Sequence, residues 1–131
     1  MNRAIYISGP VTGCPDLNFA AFDRVRDILK ARGDVPHSPA DLDRALGFAS
    51  CTREFAVRDT EVILRSCHGI YMMDGWYFSK GSAAEFFLAR WIARDEENFT
   101  FEREDWCEPI NAAALTREFA VHNSGRDLCG F

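Results

Sequence analysis

Ala4 to Ser8 is β-rich and alternates little between apolar and polar positions, which predicts a strand covered on both faces. A Gly9-Pro10-Val11-Thr12-Gly13 loop follows. Phe22, Val25, Ile28 and Leu29 then recur at helical spacing, with Asp16 or Asn18 placed to cap that helix and Gly33 to stop it. Val35 and its neighbours predict a very short second strand. Ser38-Pro39-Ala40-Asp41 reads as a helix start, with Ser38 capping and Pro39 in the first helical position. Thr52 to Ser66 is again helical, with Phe55, Val62 and Ile63 defining its apolar face. Asp59 lies on that same face, four residues after Phe55 and three before Val62. Gly69 to Met73 is the next predicted strand, and Ser82 to about Arg94 the next helix, expected to bury Phe87, Leu88, Trp91 and Ile92. Beyond Ala93 the pattern fades. Asp95-Glu96-Glu97 reads as a solvated turn, Phe99 to Phe101 as an edge strand, and His122 to Phe131 as a tail or partner-docking strip. The hexapeptide TREFAV occurs at Thr52 to Val57 and again at Thr116 to Val121, which is too short to be a structural repeat.

This order of elements predicts an α/β protein, a small sandwich around a mostly parallel sheet. At 131 residues the chain has room for one core, and 47% hydrophobic content with 11 Phe and 3 Trp excludes disorder as a description of the whole. Residues 1–94 are read as the α/β domain and 95–131 as a C-terminal extension, an edge strand or tail that can pack on it. A net charge of −5 argues against a nucleic-acid polymer as partner, since such a surface needs a basic stripe. A small anion held by loop amides and helix ends is still compatible with it. The five cysteines are odd in number and widely spaced, with no C-x-x-C pair, so neither a disulfide framework nor a zinc site is expected. Met1-Asn2-Arg3 runs straight into the first strand without a signal-peptide pattern. No apolar run approaches the roughly 20 residues of a membrane span. The expectation is a reduced, soluble, cytoplasmic protein with no membrane partner, no metal and no cofactor.

The chemistry concentrates where strands end. Asp74 closes one apolar run beside Gly75, placed to hold a sugar hydroxyl or to begin a turn, and Ser79, Gly81 and Glu85 follow in S-x-G-x-x-x-E spacing as a helix begins. The first strand ends in its own glycine loop, Gly9 to Gly13. Two such loops side by side make one pocket at the carboxyl ends of the strands. Glu85 has two readings. It completes a capping box with Ser82, or it is a carboxylate kept ionised by the helix dipole in the first turn, as a nucleophile at an electron-poor sugar carbon requires. Asp59 is either a boundary acid bonded to a loop or a carboxyl whose burial keeps it protonated for a leaving group. One ionised and one protonated carboxyl is the division of labour for cleaving a glycosidic bond. Tyr6 and the Trp76-Tyr77-Phe78 cluster are either core or a stacking surface for a base. His37, alone in a Pro-rich loop, is a weak candidate for titration near neutrality. There is no Ser-His-Asp order and no P-loop lysine.

Taken together, Tyr6-Ile7-Ser8-Gly9-Pro10-Val11-Thr12-Gly13, Asp59 and Ser79-x-Gly81-x-x-x-Glu85 resemble the nucleoside 2-deoxyribosyltransferase superfamily over roughly residues 4 to 93. Within it the chain looks most like small phage and prophage proteins of uncharacterised function. The resemblance implies a flavodoxin-like α/β sandwich, with Glu85 as nucleophile and Asp59 in proton transfer at the base. It also implies Tyr6, Gly9 and Gly13 around the sugar and phosphate; Ser8, Pro10, Asp74, Ser79 and Gly81 are the further residues expected in the substrate site. Ser79 is similar to the serine of the 2′-deoxynucleoside 5′-phosphate N-hydrolases, where the transferases usually have Asp. Two departures stand out. Pro10 and Thr12 occupy positions where those hydrolases have Ser and Arg, and the spacing from Asp59 to Glu85 is slightly longer.

The expectation is an N-glycosidase that cleaves the base–sugar bond of a nucleotide or nucleoside through Glu85. The alternatives are transfer of the deoxyribosyl group to a second base, and a non-catalytic protein that binds or sequesters a nucleotide signal. A third possibility is that the Phe- and Trp-rich surface mediates assembly and the pocket is vestigial. The superfamily's habit of completing its site from a neighbouring subunit implies a homodimer or larger homo-oligomer.

Overall fold

A computed structural model describes residues 2–47, 51–106 and 110–125. Four strands, β1 (Ala4–Ser8), β2 (Val35–His37), β3 (Gly69–Met72) and β4 (Thr100–Arg103), form one sheet in the order β2-β1-β3-β4. All neighbours are parallel, with Ser8 opposite Met72 and Met72 opposite Arg103. Helices α1 (Phe19–Ala31), α2 (Pro39–Leu46), α3 (Thr52–Ser66), α4 (Lys80–Ala93) and α5 (Ala112–His122) cover the two faces. Strand alternation divides the core. Ile5, Ile7, Tyr71 and Met73 pack with Phe22, Val25, Leu29 and Ala40 on one side. Tyr6, Ile70 and Met72 pack with Ile63, Phe86, Leu115 and Phe119 on the other. The architecture is therefore a flavodoxin-like three-layer sandwich. The chain leaves β1 for β2 on one side and returns to β3 on the other, so the switch point lies at the carboxyl ends of β1 and β3.

Most predicted elements stand. Ser38 caps α2 by accepting from the Ala40 amide, with Pro39 at its start. The expected edge strand is present, shifted to Thr100–Arg103. Asn18 stands at the N-cap position of α1, as expected, but without a side-chain capping bond. Asp16, Leu17 and Asn18 all adopt left-handed conformations, and Asn18 spends its side chain on the Pro10 carbonyl (2.9 Å) instead of on the helix.

The phase of α4 also differs from expectation. Ser82, Ala83, Phe86 and Ala89 face the sheet, Leu88 and Ile92 are half-buried against the same core, and Phe87 sits at its edge against Phe86 and Phe119, while Trp91 is 72% exposed. Small residues set this phase because they let the helix lie close to the sheet, so reading the largest side chains as inward misplaces the face. Helix α5 goes beyond the elements that the sequence pattern predicts. Asn111 caps it through the Ala114 amide, and Leu115 and Phe119, one turn apart, bury its inner face. His122 is the last residue of α5, and the remainder of the expected tail beyond residue 125 lies outside the described residues. Among the described residues no helix is long and apolar enough to cross a membrane.

Candidate active site

Because side chains alternate along β1, Tyr6 and Ser8 point to the same face, the one on which α3 and α4 pack. There they meet Glu85. The Tyr6 hydroxyl donates to Glu85 Oε2 at 2.6 Å and the Ser8 hydroxyl to Oε1 at 2.7 Å, while Ser8 Oγ also contacts Ser82 Oγ at 2.6 Å. The capping-box reading of Glu85 does not hold. Ser79 is the N-cap of α4, accepting from the Ser82 amide at 3.2 Å, and Ser82 is buried against Ser8. Glu85, the sixth residue of α4, is consequently a turn deeper than the helix end, beyond the reach of the terminal amides.

Its electrostatics change accordingly. Part of the side chain still touches solvent, but the carboxylate is enclosed by protein, and burial pushes its pKa up to about 8. The hydrogen bonds from Tyr6 and Ser8 oppose that rise and the charge of Asp59 adds to it. The expected ionised nucleophile is, in the free protein, a carboxyl that holds its proton near neutrality.

Asp59 is buried, 8% exposed, and its pKa is also raised, chiefly by burial, against the pull of Arg58. The Tyr6 phenol, itself pushed well above its usual range by burial and by Glu85, interacts with both acids. Asp59, Tyr6 and Glu85 thus form one coupled chain. The sequence placed Asp59 inward correctly but did not disclose its partners. Arg58 Nε donates to Asp59 Oδ1 at 2.8 Å and Nη1 donates to Asp43 Oδ1 at 2.5 Å. The sign of Asp43 was legible: it is an acid three residues after Ala40 on the apolar face of α2, and both are buried.

The first loop lies over this cluster's end of the sheet. Gly9 has a packing reason to be glycine, since a Cβ there would stand 2.7 Å from Met73 Sδ and 2.8 Å from Met73 Cβ. Gly9→Ala is expected to cost about 1–3 kcal/mol in urea unfolding by forcing the β1 and β3 loops apart. An unchanged midpoint would refute that close approach. Gly13 is required for another reason, a left-handed φ of 81°. Pro10 lies beside Gly75, and Gly81 sits exposed in the first turn of α4 with open space where a Cβ would be.

Asp74 is at the rim of the site, with its side chain 70% exposed. Its carboxylate accepts from Arg103 Nη2 at 2.8 Å, which holds its pKa below the usual range, and its amide donates to Glu104 Oε2 at 2.7 Å. The aromatic cluster after it is not a stacking platform. Trp76 is fully buried against Phe86 and Phe119 and donates its indole N–H to Glu118 Oε1 at 2.5 Å. Tyr77 stacks on His122 with ring centroids 3.7 Å apart, which leaves Phe78 as the exposed member. His37, in β2, is away from these acids in sequence and element, and burial lowers its pKa.

Cys14, Cys51 and Cys67 are free thiols, and no group of three metal-ligating side chains occurs among the described residues. Cys107 and Cys129 lie outside those residues. Against known proteins, a family model described as a domain of unknown function (DUF4406) matches residues 3–95. No curated protein matches the chain.

Proposed function

The chain belongs to the DUF4406 family, and we propose that its site is that of an N-glycosidase acting on a nucleotide or nucleoside. The observation that carries this reading is the chain of two inward carboxyls, Glu85 and Asp59, joined by one phenol at the carboxyl end of β1. Together with the resemblance of the Tyr6 to Gly13 loop and of Ser79-x-Gly81-x-x-x-Glu85 to the nucleoside 2-deoxyribosyltransferase superfamily, it gives each acid a role. The pair enters the reaction holding a proton. That proton passes to the leaving base as the bond from C1′ to nitrogen breaks and its electron pair goes to the nitrogen. Glu85, now ionised and held by Tyr6 and Ser8, forms the new bond to C1′. Water then attacks C1′ as the bond from C1′ to the Glu85 oxygen breaks and its electron pair returns to the carboxylate; the water's proton goes to the carboxyl pair, and the free sugar leaves.

Transfer to a second base is the same first step with a different acceptor. The choice of hydrolysis rests on Ser79. As N-cap it uses one acceptor position, and a hydroxyl carries a donor besides, which suits an oxygen of the substrate. The raised pKa of Glu85 favours a second reading, in which a mostly neutral Glu85 only contacts ribose and the protein binds a nucleotide without cleaving it. Chromatographic detection of free base separates the two. Wild-type and Glu85→Ala protein are incubated with nucleosides, deoxynucleotides and dinucleotides, with and without an acceptor base. Release by wild type alone, falling as pH rises past the pair's upper titration, supports catalysis. Retention of one compound by both proteins, with no release, establishes binding instead.

A further inference from the structure

We propose that Arg58 is a positioning residue whose guanidinium, shared between Asp43 and Asp59, fixes the Asp59 carboxyl beside Tyr6 and Glu85, and that Asp43 moderates that hold. The inference takes from the proposed function only that Asp59 handles a proton, and its test does not depend on turnover.

The geometry begins with adjacency in sequence. Arg58 and Asp59 are neighbours on α3, and successive helical residues do not normally face each other. Here the arginine nevertheless reaches back, Nε to Asp59 Oδ1 at 2.8 Å, while its Nη1 crosses to Asp43 on α2 at 2.5 Å. Arg58 is largely covered, with its side chain 14% exposed, and the side chains of Asp43 and Asp59 are 4% and 12% exposed. One positive charge is therefore divided between two buried acids, and a planar fork with donors in fixed directions is the group that can bridge them. Its guanidinium carbon lies over the Phe55 ring, 5.2 Å from the centroid, which limits where the head group can go.

Nη2 of Arg58 is buried and makes no hydrogen bond to a described residue, so among those residues the guanidinium bonds to Asp59 and Asp43.

The charged and titratable groups that bear on Asp59 come from every element around it. They are Arg58 from α3, Asp43 from α2, Tyr6 from β1, and Glu85 from α4, which feels Asp59's charge in return. Arg58 is the cation among them. Removing it leaves Asp59 buried beside the charge of Asp43 without its cation, and removing Asp43 leaves Asp59 in sole possession of the guanidinium. The two changes push in opposite directions, which a loss of packing would not do.

The test is a ¹³C carboxyl NMR titration of Asp59 and Glu85 in the wild type, Arg58→Gln and Asp43→Asn. Arg58→Gln is expected to raise the Asp59 midpoint by at least about 1 pH unit, and Asp43→Asn to lower it while the Glu85 midpoint stays far above the ordinary glutamate value. Arg58→Lys keeps a charge but not the fork. It is expected to raise the midpoint by less, and it carries the test if the Gln variant does not fold. An Asp59 midpoint that stays in place in a folded Arg58 variant, or that moves the same way in the Arg58→Gln and Asp43→Asn proteins, overturns the proposal. If the midpoints move as expected but no base is released from any substrate, the positioning stands and the glycosidase reading fails.

Discussion

Glu85→Gln is expected to lose base release by at least about 10³-fold and, at the same time, to be more stable than the wild type at pH 8. The two effects have one origin. Burial holds the Glu85 pKa at about 8, against an ordinary value of 4.5. Between those two pH values the folded protein retains a proton that the unfolded chain has released. Stability therefore falls as pH rises through this window, and no penalty exists below it. Coupling to Tyr6 and Asp59 and the partial solvent contact reduce the full linkage, leaving about 2–4 kcal/mol by pH 8. Glutamine has no such titration. It also fits the hydrogen bonds of the protonated acid: its oxygen accepts from Tyr6, and its amide donates to Ser8, whose own hydroxyl turns to Ser82. Urea unfolding of both proteins at pH 5 and pH 8 decides the matter. A stability difference that does not widen with pH would contradict the buried-acid account, and turnover surviving in the purified variant would remove Glu85 as nucleophile. A site that destabilises its own fold at working pH is what a stability–activity trade-off predicts.

The sequence disclosed the sheet and most helices because parallel strands covered on both faces read as short apolar runs, and because Ser38-Pro39 is a strong start signal. It disclosed Asp59 as an inward acid through helical spacing, and Glu85 only as an acid near a helix start, through the S-x-G-x-x-x-E spacing. It did not disclose that Glu85 lies in the second turn of α4, because Ser79 and Ser82 are both good caps and the choice between them depends on which serine β1 needs. Ser82 goes to Ser8, so Ser79 is left to cap. Core was one of the two readings of Trp76 and is the one that holds, but its partner was hidden, since the indole N–H finds its acceptor 42 residues later, in Glu118. Asp74 was legible as a loop acid, and its clamp by Arg103 was not, because the pairing depends on β4 lying beside β3.

Without that clamp and the helix behind it, residues 1–95 alone are expected not to fold. The matched family segment ends at residue 95 and contains Tyr6, Asp59 and Glu85, so it holds the proposed chemistry. The structure of the loop between β3 and α4, however, depends on β4 and α5. Phe99, Phe101, Leu115 and Phe119 are buried in the same cluster as Tyr6, Trp76 and Phe86. Losing four such side chains forfeits about 6–12 kcal/mol at roughly 1.5–3 kcal/mol each, as much as the whole stability of a typical domain. The polar losses fall on the loop itself. The Trp76 indole loses Glu118, the Tyr77 carbonyl loses the Asn123 amide at 2.9 Å, and the Asp74 amide loses Glu104. No cooperative unfolding transition and a collapsed amide spectrum are expected of that fragment, and well-dispersed NMR signals from it would refute the dependence. Arg103→Met grades the same effect in the full chain. Arg103 is buried, it bonds Glu118 at 2.8 Å, and removing it strands that acid beside Trp76, at a cost of about 3–5 kcal/mol. Glu118→Gln should cost less, because the amide oxygen still accepts from the indole. If the two substitutions cost the same, the charge pairing is not what holds the loop, and the apolar contacts of α5 alone must account for it.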